Sequence, residues 1–247
     1  MRFTRRDLEQ LDVLLYSRAD RVVPMRDVWQ GDTGPEVIGL RHDVDDNHGG
    51  MAFDTALRMG EWEAARGYRS TYYLLHDSSY WHRIRRAAEL EEMGHEVGLH
   101  VNGIAEGLRQ RRDPVEIVRD ALAELRQYVR VDGCAAHGDE RCRDRRGELV
   151  FVNDEMFVES ARPKVGEPDR VIVSGVESLR LRPVSRASLG LLYDASWLRR
   201  GMYLSDSGST WSQSPKNVAK QFGQGQLHML VHPDWWAQAF VPERMAA

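Results

Sequence analysis

The feature that most constrains this chain is a short apolar run that ends in acid. Val37-Ile38-Gly39-Leu40 leads directly into Arg41-His42-Asp43-Val44-Asp45-Asp46-Asn47-His48. The apolar run reads as a buried strand. Three carboxylates and two imidazoles then crowd into the next residues, and such carboxylates repel one another unless a proton or cation lies among them. A strand that delivers Asp-x-Asp and His at its C-terminal end reads as half of a metal site. Along an extended chain residues two apart point the same way, so Asp43 and Asp45 share a side and Val44 faces the other. One of the two carboxylates can be a ligand and the other a base.

The rest of the first half alternates helix and strand, the pattern of parallel βαβ units. Thr4 can cap a helix running to about Ser17, with Leu8, Leu11, Leu14 and Leu15 on its apolar side. Helical spacing recurs over roughly 50–66, from Ser78 or Ser79 to about Glu92, and from Pro114 to about Tyr128. Strands are expected at about 37–43, Ser70–Leu75, His95–His100, Val131–His137 and Leu227–His232. Shorter ones are expected at Leu149–Val152, Arg170–Val173 and Tyr203–Leu204, with a short helix from Ser214 to about Phe222. The expected fold class is α/β, a distorted barrel of about seven strands. Residues 1–247 form one domain in this reading, with residues 1–30 as a helical extension packed on the barrel.

Composition narrows the function. Hydrophobic residues make up 42% and charged residues 29%, an ordinary globular balance. A net charge of -4 gives no sign of a nucleic-acid partner. No apolar run reaches the ~18 residues of a membrane-spanning helix, and residues 1–7 lack the apolar core of a signal peptide. The expected location is therefore cytoplasmic, with Cys134 and Cys142 as reduced thiols. The Arg141–Arg146 run reads as a solvated loop.

In a parallel sheet the strand ends share one face, and chemistry collects there. The expected ends carry His42-Asp43-Val44-Asp45, His76-Asp77, His100, His137 and His232. A divalent ion such as zinc takes His nitrogen and carboxylate oxygen and leaves a place for water, which becomes acidic enough to attack a carbonyl. A carboxylate outside the coordination shell can take the proton. His95 lies at the wrong end of its strand and reads as structural. His42 alternates away from Asp43 and should pack behind the site. Trp81, Trp211, Trp235 and Trp236 are the rings that could stack on a sugar, although large aromatics usually pack.

Leu40-Arg41-His42-Asp43-Val44-Asp45, followed by Gly94-His95-Glu96-Val97-Gly98-Leu99-His100, resembles the polysaccharide deacetylase family (carbohydrate esterase family 4) in its divergent branch with an Arg-His-Asp-Val-Asp first motif. Ser205-Asp206-Ser207-Gly208 with Trp211 is similar to the family's fourth motif, and Leu230-Val231-His232-Pro233-Asp234-Trp235-Trp236 to its last. The resemblance implies a barrel of about seven strands and one metal ion, most readily Zn2+. It implies removal of an acetyl or similar acyl group from an amino sugar or related carbohydrate, with a non-sugar amide or a catalytically inactive binding role as alternatives. It makes Asp43 the general base, Asp45 and His100 metal ligands, His232 the general acid and Asp206 the residue that holds it. The family's second motif usually carries another histidine four residues after its first ligand, and this chain has Ile104 there. This chain must replace that ligand, from Asn102, His48 or His137, or do without it and stay metal-free; His137, at the end of the next strand, is the best donor. The family's usual third motif, an Arg-Pro segment that supports the base, is also missing.

Overall fold

The computed structural model describes residues 3–46, 50–160, 170–198 and 201–241. The helices are α1 (Arg5–Leu14), α2 (Met25–Trp29), α3 (Met51–Ala64), α4 (Ala87–Glu92), α5 (Gly103–Gln110), α6 (Pro114–Leu125) and α7 (Pro215–Gln221). The strands are β1 (Arg21–Val23), β2 (Val37–Val44), β3 (Thr71–Leu75), β4 (Glu96–Val101), β5 (Gly133–Ala136), β6 (Arg170–Ser174), β7 (Glu177–Leu181), β8 (Tyr193–Asp194), β9 (Met202–Ser205) and β10 (Leu227–Val231). Seven strands form a curled parallel sheet in the order β8-β5-β4-β3-β2-β10-β9, a half-barrel flanked by helices. β1 pairs with residues 37–39 of β2, and β3 takes residues 41–44 of the same edge. β6 and β7 make a separate antiparallel hairpin.

β2 is the central strand. All eight of its residues are buried, as expected of a parallel strand covered on both faces. Its alternation separates two environments. His42 turns outward to α3, where its Nε2 lies 2.8 Å from Glu63 Oε1 and its ring stacks on Tyr72. Arg41 and Asp43 turn into the barrel, where Arg41 lies over the Tyr73 ring. Two glycines make room there. A Cβ on Gly98 would lie 2.4 Å from the Tyr73 ring, and one on Gly133 would lie 2.2 Å from the Tyr193 ring. Those two tyrosines, with Thr71, close the barrel floor around the buried Glu96, which accepts from Tyr193 Oη at 2.5 Å and Thr71 Oγ1 at 2.6 Å.

Several elements differ from the sequence expectation. The segment before α4 is a 3-10 helix, Trp81–Arg86. Leu149–Val152 forms no strand; it makes one isolated bridge, Leu149 to Arg143, and a tie from Val150 to Cys142. β1, α2, α5, β7 and β8 are additional. The N-terminal segment lies against the last motif: the Phe3 N–H donates to the Trp235 carbonyl at 2.9 Å, and the Phe3 ring stacks on Trp236. Among the described residues no helix is long and apolar enough to cross a membrane. Cys134 and Cys142 are free thiols, both buried.

Candidate metal centre

The ends of β2, β4 and β5 bring Asp45, His100 and His137 together. His100 Nε2 is 3.3 Å from Asp45 Oδ1, His137 Nδ1 is 3.2 Å from the same oxygen, and the two nitrogens are 3.1 Å apart. Four-coordinate zinc, with bonds of about 2.0–2.2 Å, sets neighbouring donor atoms about 3.3–3.6 Å apart, so this triangle is one tripod face drawn slightly tight. The three residues could hold a metal ion.

The tautomer agrees. His100 Nδ1 is 3.0 Å from the Ala135 carbonyl, which can only accept, so Nδ1 carries the proton and Nε2 turns its lone pair to the site. Asp45 Oδ1 is buried without a hydrogen bond of good geometry. Burial pushes the Asp45 carboxyl up, but the two imidazoles beside it win and hold it well below the usual carboxylate range. Burial lowers His137 and the Asp45 carboxylate raises it, with a net rise. With two imidazoles converging on a single oxygen, the donor set fits a divalent cation.

Asp43 lies beside the tripod. Its Oδ2 accepts from Arg41 Nη2 at 3.1 Å and is 3.8 Å from His100 Nε2, while Oδ1 is buried with no hydrogen-bond partner among the described residues. The base candidate therefore has one oxygen tied and one available, and its guanidinium partner comes from its own strand.

His232 follows β10, and Asp206 follows β9. Asp206 Oδ1 accepts from His232 Nδ1 at 2.7 Å and from the His232 backbone N–H at 3.0 Å, and Oδ2 accepts from Trp236 Nε1 at 2.7 Å. Burial pulls His232 down, but the bond to Asp206, aided by Asp45 and Asp43, raises it to about 9. The imidazole is thus protonated at neutral pH.

The other candidates take structural places. Asn102 is not a ligand: its Nδ2 donates to Asp77 Oδ2 and Asp139 Oδ2, each at 2.9 Å, and its Oδ1 accepts from Asn153 Nδ2 at 2.8 Å. His48 lies outside the described residues. Ile104 is buried in the first turn of α5. His76 Nε2 accepts from the Asn102 backbone N–H at 3.0 Å, and burial pulls its pKa down to about 4, so it is neutral. His95 bonds Gly60 and Ser70 behind the sheet. Trp236 is fully buried, Trp211 packs against it and Phe3, and Trp81 donates to Glu124.

Sequence reasoning missed Asn153, which ties Asn102 to the His137 backbone, and missed the bond from Trp236 to Asp206. Nothing in the residue types or spacing of either signals the contact. Comparison of the chain with protein-family models, with curated proteins and with solved structures finds no match.

Proposed function

We propose that the protein is a metal-dependent hydrolase that removes an acetyl or similar acyl group from an amino sugar or related carbohydrate, on a deacetylase-like barrel. One observation carries the reading: a tight Asp45–His100–His137 triangle, with edges of 3.1–3.3 Å, flanked by a half-free carboxylate and a charged histidine. When bound there, a divalent ion, zinc by its nitrogen and oxygen donors, supplies Lewis acidity and an acidified water. Asp43 Oδ1 is the atom placed to take the proton of the attacking water, while Arg41 fixes the orientation of the carboxylate through Oδ2. His232, held by Asp206, gives its proton to the leaving nitrogen or oxygen. His137, which could stand in for the ligand missing at Ile104, supports the enzyme reading over an inactive binding role.

The packing of the four candidate rings, Trp81, Trp211, Trp235 and Trp236, against the core favours the second reading, a small non-sugar amide, over a long polymer stacked on them. Acetate release separates the two. Zinc-loaded protein should release acetate from N-acetylglucosamine or its short oligomers faster than from linear N-acetyl amines. The reverse order favours the amidase reading. No release from either, with zinc bound, rejects both.

A further inference from the structure

We infer that Asn153 is a positioning residue for His137, setting the third donor of the candidate metal site by holding its peptide group against the N-terminus of α5. The inference rests on the metal reading of that site. Asn153 opens a 3-10 turn, Asn153–Met156, and is completely buried. Its Oδ1 accepts from the backbone N–H groups of Ile104 at 3.0 Å and Ala105 at 3.1 Å. Those two groups can only donate, so they fix which end of the amide is oxygen. The Nδ2 end must then face acceptors, and it does: the His137 carbonyl and Asn102 Oδ1, each at 2.8 Å. The polarity continues through Asn102, whose own Nδ2 meets the carboxylates of Asp77 and Asp139. Every amide end in this pair faces a partner of the right kind.

The consequence falls on His137. Its backbone N–H donates to the Val101 carbonyl at 2.9 Å, which holds one side of the residue to β4. Asn153 holds the other side. The residue lies just past the last residue of β5, and the bond to Val101 is the last one the β4–β5 ladder gives its backbone. His100, by contrast, lies within β4 and has its ring bonded to the Ala135 carbonyl. The third donor thus depends on a loop residue for what the sheet gives the second. The same amide provides the cap that Asn102, which makes no side-chain cap bond, does not give α5. Ile104, where the resemblance led one to expect a ligand, is the residue whose N–H receives that cap.

Zinc affinity, measured by competition with a chromogenic chelator, tests this without any substrate. Asn153→Ala should bind zinc about 10–100-fold more weakly than the parent, the usual loss when an outer partner of a metal ligand is removed. Asn153→Asp is the second variant: it still accepts from the two α5 amides but cannot donate to the His137 carbonyl, and its charge alone would favour a cation. Weaker zinc binding there isolates the lost donor. Leu11→Ala, a buried residue of α1 in a different core cluster from Ile104 and Ala105, should lower Tm while leaving zinc affinity within twofold. Zinc affinity within twofold of the parent in Asn153→Ala, or in Asn153→Asp if the alanine variant does not fold, overturns the inference. A parent that binds no zinc overturns the metal reading itself.

Discussion

Two His–Asp clusters on the half-barrel use the same residue types to opposite ends. At the ends of β2, β4 and β5, two imidazoles converge on one carboxylate oxygen, and His100 spends its ring proton on the backbone behind it. The His100 lone pair turns inward, and the three donor atoms are grouped as a set that could hold a metal ion. At the ends of β9 and β10, the Asp206 carboxylate receives donors from the His232 ring, the His232 backbone and the Trp236 indole. That cluster is complete as it stands. The direction of the outer hydrogen bonds, not the residue types, separates the candidate metal site from the held histidine.

Asp43 tests the boundary between the two most severely. Asp43→Asn should keep metal and lose turnover by roughly 10²–10⁴-fold, the usual contribution of a general base; zinc analysis and acetate release on the same sample check this, and loss of zinc would mean that Asp43 belongs to the tripod. Asp206→Asn attacks the closed cluster. Breaking a buried charged pair costs about 3–5 kcal/mol, so Tm should fall while zinc binding survives. If zinc is lost as well, the clusters are one.

The pH dependence comes next in size. The folded pKa of His232 is raised from 6.5 to about 9, so its contribution to stability is full below about pH 6.5 and is lost as pH rises through about 9. A shift of that size is on the order of 3 kcal/mol. Urea titrations of metal-free protein at pH 6.5 and 9.5 should show the loss, and Asp206→Asn should abolish it. Trp236→Phe is the smallest effect: it removes one donor to a buried carboxylate, at about 1–3 kcal/mol, and chelator competition should find zinc affinity unchanged.

The parts legible in the sequence are those with a long repeating signal. The run ending in Asp45 stands out because eight consecutive residues are buried and the acids follow at once. Period-two alternation put Asp43 and Asp45 on one side and His42 behind, where it meets Glu63. The illegible parts are short or distant. β1 has three residues and β8 two, too few for a period. α5 starts two residues after β4 and carries Gly103 and Gly107, which weaken the helical signal; both glycines sit where a Cβ would press on neighbouring elements. Leu149–Val152 has the composition of a strand and no ladder to join. Asn153 is 51 positions from Asn102, and a buried amide pair of that separation leaves no trace in local pattern.

The central claim is that Asp45, His100 and His137 form a cation site. Calorimetric titration of metal-free protein with zinc, beside His100→Ala, addresses it most directly. One zinc per chain in the parent, with affinity reduced more than about 100-fold in the variant, beyond the loss of an outer partner alone, is the predicted result. No stoichiometric binding in the parent, or equal affinity in the two proteins, would contradict it.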